Sequence, residues 1–246
     1  MFGSGALFGR WRRLVGPVAR GFRGAPGVIS DPAREPERVW AKELGIEWVG
    51  TLAQVQLALF RLDVAGERVQ DPITRDITGA GRSVRQGVEG SVEFPLGPRL
   101  RLTATGTVND ANISETLAAP SPVVVLERAG VRSSLHVIPL APGDPVPGVS
   151  RYLAQAGLKA VVSGRLTVGG LVRLNGPFTP IGEPAVETQS YVVADLEGTV
   201  ALGRSRWLLD WELQNVFNTR YPEVRSSGYL NPGTPRALRI SVRWQQ

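Results

Sequence analysis

The sequence predicts an all-β chain: an antiparallel, up-and-down transmembrane β-barrel wall of about ten strands, forming part of a larger barrel. Three observations predict it. Apolar and polar residues alternate with period two over most of the chain, as in a sheet with one greasy face and one wet face. The alternating runs are mostly about 10–13 residues long, beyond the usual soluble strand of about 5–6 and close to the about 9–11 of a tilted membrane strand. The connections alternate short and long, as in a barrel with tight turns at one rim and large loops at the other.

The elements follow in order. Residues 1–13 are expected to be poorly structured, and 14–22 is the weakest strand because Pro17 cannot donate to a ladder. In 39–49, Trp40, Leu44, Ile46 and Trp48 oppose Glu43 and Glu47, with Lys42 out of phase. In 52–69 the apolar phase runs Val55, Leu57, Leu59 and then shifts to Phe60, Leu62, Val64, which predicts a bulge. In 82–94, Val84, Val88, Val92 and Phe94 oppose Arg85, Glu89 and Glu93; in 99–109, Leu100, Leu102, Ala104, Gly106 and Val108 oppose arginines, threonines and Asn109. The pattern recurs in 151–163, 165–175 and 190–202, and twice more near the end: Trp207, Leu209, Trp211, Leu213, then Leu238, Ile240, Val242, Trp244.

The predicted connections are short around Gly50, at Pro95 to Pro98, at Ser163–Gly164 and at 203–205, and long at 70–81, 110–150, 176–189 and 218–236. Trp48, Trp207 and Trp244 then fall together at the short-turn rim, where an interfacial aromatic girdle is expected. Short turns belong in the periplasm, so the long loops are expected outside the cell and the C-terminus in the periplasm.

Composition excludes several classes. No run approaches the roughly 20 apolar residues of a spanning helix. With no cysteine there is neither a disulfide framework nor a thiolate metal site. The formal charge of +6 invites a nucleic-acid reading, but the arginines are spread singly and no basic cluster is interleaved with aromatics, so no nucleic-acid partner is expected. The single histidine, His136, falls in the longest predicted loop and reads as a solvated side chain. Carboxylates close together on one strand face (Glu43 and Glu47, Glu89 and Glu93, Asp195 and Glu197, Asp210 and Glu212) could form paired acids or a calcium site. They read better as a wet lumen wall balanced by Arg85, Arg101, Arg173, Arg239 and Arg243. No catalytic residue, metal ligand or cofactor is predicted, and the chain is not expected to be an enzyme.

Four local patterns carry a family resemblance. Asn215-Val216-Phe217-Asn218-Thr219-Arg220-Tyr221 precedes Pro232-Gly233-Thr234-Pro235-Arg236 near the end. Gly87-Val88-Glu89 stands in the middle. Gly21-Phe22-Arg23-Gly24-Ala25-Pro26, Glu35-Pro36-Glu37 and Glu43-Leu44-Gly45 follow one another near the start. In this order they resemble the motifs of TonB-dependent outer-membrane receptors, from about residue 14 to the end. The resemblance implies the last ten or so strands of a 22-stranded barrel in outer-membrane lipid. It also implies import of a scarce nutrient (an iron–siderophore, haem, cobalamin or a glycan), through a plug and TonB contact carried elsewhere. The motif residues imply structural roles: Pro235 ahead of a strand, Gly233 in a turn, Phe217 and Tyr221 in an outer aromatic girdle. The N-terminus has no charge-first, apolar-second secretory signal, so the chain is expected to be part of a longer precursor. An autonomous small barrel with an adhesive or hydrolytic role, and a soluble all-β binding protein, are the competing readings.

Overall fold

The computed structural model describes residues 4–15, 37–70, 77–127, 130–180, 186–203, 206–224 and 230–244. The strands are β1 (Ser4–Val15), β2 (Arg38–Val49), β3 (Gln54–Gln70), β4 (Ile77–Pro95), β5 (Leu100–Glu115), β6 (Leu117–Glu127), β7 (Gly130–Leu140), β8 (Tyr152–Ser163), β9 (Leu166–Asn175), β10 (Tyr191–Ala201), β11 (Trp207–Gln214), β12 (Pro222–Val224), β13 (Leu230–Pro232) and β14 (Ala237–Trp244). Ten of them form one antiparallel sheet in the order β1-β2-β3-β4-β5-β8-β9-β10-β11-β14, with β6-β7 and β12-β13 as separate hairpins. Each main strand pairs with its neighbour in sequence once the hairpins are set aside. The sheet ends at β1 on one side and β14 on the other, so this stretch does not close into a barrel by itself.

Register decides what the alternation achieves. Ile46, Leu57, Gly90, Gly106, Ala154, Leu174 and Val192 are successive cross-strand partners from β2 to β10. The next rows run Trp48, Val55, Val92, Ala104, Ala156, Val172, Ala194, and Phe94, Leu102, Leu158, Gly170, Leu196, Leu213, Leu238. Partners directly opposite share a face, so every apolar run adds to one continuous band. That band is bare: Leu44, Ile46, Leu59, Val108, Leu238, Ile240 and Val242 are each more than half exposed. A water-facing sheet of this kind is an aggregation surface; in hydrocarbon it is the stable arrangement. The outward apolar run from Leu100 to Val108 matches the length of a membrane strand.

A charge on this face should therefore be far more costly than one on the other. Ile240→Arg is expected to destabilise the folded barrel by about 2–4 kcal/mol, the range for an arginine near a bilayer midplane. Ser241→Arg, one residue along and facing inward, should change the urea midpoint in lipid vesicles little. Equal shifts for the two would contradict the assignment of faces.

Several expectations are corrected. The first strand is Ser4–Val15, paired with β2 along its whole length, rather than 14–22 after an unstructured 1–13. Residues 16–22 lie outside the described residues. No bulge interrupts β3 at Leu59–Phe60: it pairs with β2 without a break from Gln54 to Ala65. The irregularities lie at Ala65–Glu67 and Glu67–Val69, beside the left-handed Gly66 (φ 73°). The phase shift has a different cause. Beyond Leu59 the outward side chains become Arg61 and Asp63, joined to each other at 2.9 Å, while Gln86 and Asp110 continue the outward polar patch on β4 and β5. Apolar residues move to the inner face, where Val64 is 3 % exposed. The shift marks the level at which the outer face leaves hydrocarbon.

The longest predicted loop, 110–150, is mostly ordered strand. β5 runs on to Glu115, the β6–β7 hairpin packs against β4 and β3, and residues 141–151 lie along the edge of β5. There Gly143 N donates to the Ile113 carbonyl at 2.8 Å, Ile113 N to that of Asp144 at 2.8 Å, and Val146 N to that of Ala111 at 2.9 Å. Ile113, Leu140 and Val146 form a small buried core on the inner face. His136 lies on β7, opposite Ser121, rather than in a loop. Likewise β3 and β4 are 17 and 19 residues long and fill much of the predicted 70–81 loop. Where water lies on both sides, alternation has nothing to report, so these extensions leave no mark in the pattern.

Candidate functional site: the inner wall and its closing motif

The inner face is polar and largely charge-balanced. Four of the five arginines expected to balance the carboxylates do so, Arg173–Asp195 at 2.7 Å, Arg101–Glu93 at 3.1 Å, Arg243–Asp210 at 3.1 Å and Arg239–Glu212 at 3.6 Å, while Arg85 meets Glu67, a carboxylate outside the predicted set. These pairs span neighbouring strands or turns, and an exposed pair contributes only about 0–1 kcal/mol. Their main effect is to offset charge locally on the inner face. No group of three or more potential metal ligands occurs among the described residues.

Four motif residues come together on this wall. Glu43, Phe60, Gly87 and Asn109 form one inward row, and Gly45, Ala58, Glu89 and Thr107 the next. Both glycines are there for space. A Cβ on Gly87 would lie 2.2 Å from the Val108 carbonyl oxygen and 2.9 Å from the Phe60 ring. One on Gly45 would lie 2.4 Å from the Phe8 ring and 2.7 Å from the Leu57 carbonyl oxygen. Each glycine thus lets an aromatic ring from an adjacent strand lie flat on the sheet, which compensates for its missing side chain. Glu37 is half-buried just ahead of β2. Gly21, Phe22, Arg23, Pro26 and Pro36 lie outside the described residues.

The C-terminal motif forms a second cluster. Asn215 ends β11, is 1 % exposed and adopts φ 48°. Its Nδ2 donates to the carbonyls of Thr219 and Thr234, both at 2.9 Å, and its Oδ1 accepts from Thr219 N at 2.8 Å. Its own backbone N–H donates to Asp195 Oδ1 at 2.7 Å. Asn218, also left-handed at φ 52°, accepts from Arg236 N at 3.1 Å. Two asparagines thus tie the end of β11, the following loop and the start of β14 into one joint. Pro232 pairs with Pro222 in the small hairpin, and Pro235 precedes β14, where no ladder bond is lost. Asp195, expected from the sequence only as a carboxylate of the wet wall, also helps hold this joint, a role that one polar residue in an alternating run does not announce.

One predicted role changes and another gains a reason. Tyr221 is not in an outer girdle: it stacks on Tyr191 at 4.6 Å between ring centroids, and both line a hollow on the inner wall. Gly233 lies in the β13–β14 connection as expected, but without a positive φ. A Cβ there would lie 2.2 Å from the Tyr221 ring, so its role is close approach. Phe217 is 75 % exposed at the long-loop end. Trp48, Trp207 and Trp244 all lie at strand ends next to the short turns; Trp207 and Trp244 are direct partners, and the Arg206 guanidinium lies 6.0 Å from the Trp244 ring.

A hollow of about 530 Å³ lies beneath the tyrosine stack on the inner wall. β3, β4, β5, β8, β9 and β10 form its floor, and Tyr221 and Glu223 lie against it from the β11–β14 connection. Its polar lining is chiefly neutral amides and hydroxyls, among them Gln155, Asn175, Thr105 and Thr107.

Comparison with known proteins agrees with this architecture. The siderophore receptor PiuA of Acinetobacter baumannii superimposes with a TM-score of 0.71 at 19% identity, covering 98% of this chain and 34% of that one. The ferric yersiniabactin uptake receptor FyuA of Yersinia pestis gives 0.70 at 19% identity, over 98% and 35%. The ferric-catecholate import receptor Fiu of E. coli K12, in its closed form, gives 0.67 at 19% identity, over 97% and 32%. The chain therefore spans about a third of the length of these receptors. No curated protein matches by sequence. The family description "TonB dependent receptor-like, beta-barrel" matches residues 5–218, and with most of the sequence inside that match the chain belongs to this family.

Proposed function

We propose that the chain forms the C-terminal wall of an outer-membrane receptor that imports a scarce nutrient bound as a small chelate. The observation that carries the proposal is the two-faced ten-stranded wall: a bare apolar band outside, and a polar, ion-paired surface with a hollow inside. Such a wall needs lipid on one side and water on the other. The family barrels are outer-membrane proteins, and the similar structures named above are receptors for iron chelates. In this reading the Trp48, Trp207 and Trp244 rim faces the periplasm, and the β6–β7 hairpin faces outward from the cell. The open edges of β1 and β14 pair with further strands of a 22-stranded barrel. A plug within the lumen and its contact with TonB supply the energy coupling.

Uptake tests the proposal. Under metal starvation, deleting the coding sequence should abolish energised accumulation of at least one radiolabelled iron chelate. A protonophore should do the same in the parent strain. Unchanged accumulation of hydroxamate, catecholate and mixed chelates after deletion would remove the import reading.

A further inference from the structure

We infer that the outward faces of β2 and β3, just beyond the greasy band at the long-loop rim, hold the phosphate of a membrane lipid. The inference rests on the assignment of the apolar face to lipid and not on import. It starts from Lys42, the residue out of phase with the apolar run of its strand. Trp40, Lys42, Leu44 and Ile46 all lie on the exposed face of β2. Leu44 and its partner Leu59, each more than half exposed, form the last apolar row on these two strands. One row further, Lys42 stands directly opposite Arg61, and beyond them Trp40 stands opposite Asp63. On β1 the same two rows continue with Trp11 and Arg13 as backbone partners of Lys42 and Trp40.

Like charges directly opposite one another on a sheet are unfavourable, and an anion placed between them relieves the repulsion. Asp63 binds Arg61: the guanidinium donates to it from Nε at 3.1 Å and from Nη2 at 2.9 Å, and from Nη1 to Gln86 at 3.2 Å. These contacts fix the guanidinium fork and leave part of its donor set unused. Lys42 has no ion pair or hydrogen bond among the described residues. The positive charge is local, because farther along the same row Gln86 donates to Asp110 at 3.5 Å and the β5 end is anionic. A lipid fits this position. Its acyl chains lie on Leu44, Leu59 and Val88, the Trp40 indole sits at the headgroup level, and the phosphate meets Lys42 and Arg61. A soluble anion gains only the last of these contacts.

The test uses the receptor at its native length, purified in detergent and stripped of co-purified lipid. Two lipids with the same acyl chains are titrated, and bound lipid is counted by native mass spectrometry: dioleoyl phosphatidic acid, and dioleoylglycerol, which lacks the phosphate. Phosphatidic acid should bind at least tenfold more tightly at low salt. Lys42→Gln should weaken its binding several-fold while the heat-modifiable folded band is retained. Arg61→Gln combined with Asp63→Asn, which removes the guanidinium without changing net charge, should do the same. Lys159→Gln makes the same charge change on the inner face, beside Arg101, and should leave the affinity unaltered. Equal binding of the two lipids, an unchanged affinity in both outer-face variants, or a loss in Lys159→Gln as large as in Lys42→Gln would overturn the site. Complete displacement of the lipid by millimolar inorganic phosphate would overturn it as well, since the acyl chains would then contribute nothing.

Discussion

Replacing Gly87 with alanine is expected to prevent the wall from assembling normally, although it adds a single methyl group. The new Cβ would lie 2.2 Å from the Val108 carbonyl oxygen, 2.9 Å from Asn109 Cα and 2.9 Å from the Phe60 ring. The ring can swing aside, but the carbonyl is held in the β4–β5 ladder and cannot. Overpacking in a fixed site typically costs about 1–3 kcal/mol. The effect here should reach the top of that range, because relief requires parting two central strands. Gly164→Ala is the control. Gly164 lies in a short turn without a positive φ, and its added Cβ would meet nothing within 4 Å; an open surface site of this kind changes stability within about 0.5 kcal/mol. Urea unfolding of the two variants in lipid vesicles, read by the heat-modifiable band, checks the contrast. Similar midpoints would mean that the close approach at Gly87 has no energetic weight.

The second large effect is expected at Asn215. Alanine there would remove three hydrogen bonds in a site that is 1 % exposed, leaving the Thr219 and Thr234 carbonyls and the Thr219 N–H without that partner. Each buried group so stranded costs about 1–3 kcal/mol. Alanine must also hold φ 48°, which costs about 1–2 kcal/mol more than for a residue at ease there. A total of about 4 kcal/mol is expected. Glycine at the same position loses the same bonds without the strain, so Asn215→Gly should fall between wild type and Asn215→Ala by about 1 kcal/mol. If both variants unfolded at the wild-type urea concentration, the joint between β11 and β14 would owe nothing to this side chain.

Legibility in the sequence followed solvent contrast. Within the membrane each main strand has hydrocarbon on one face and water on the other, so residues such as Leu100 to Val108 spell out both strand and phase. Beyond the hydrocarbon that contrast vanishes. The extension of β5 to Glu115 and the β6–β7 hairpin, with Pro120 and Pro122, carry no alternation and read as loop. The shift at Leu59–Phe60 was visible but ambiguous, because a bulge and a change of surroundings on the outer face produce the same break in phase. Register with β2 separates them.

The site was legible only in part. Asparagines before a strand break suggest left-handed backbone, since Asn tolerates positive φ better than most residues. That Asn215 joins Thr219, Thr234 and Asp195 depends on partners up to 20 positions away along the chain. Tyr221 was placed in a girdle because aromatic residues near strand ends usually lie there, yet Tyr191 and the gap over Gly233 draw it inward.

By itself the sequence determined the class of fold, the greasy face of each membrane strand and the rim at which the short turns lie, because period-two chemistry is local and one solvent boundary writes it. Only the tertiary structure decided which rows align, which arginine meets which carboxylate, and that a hollow opens beneath two stacked tyrosines. Those depend on register between strands distant in sequence, and register is fixed by the summed fit of many pairs that no single segment records.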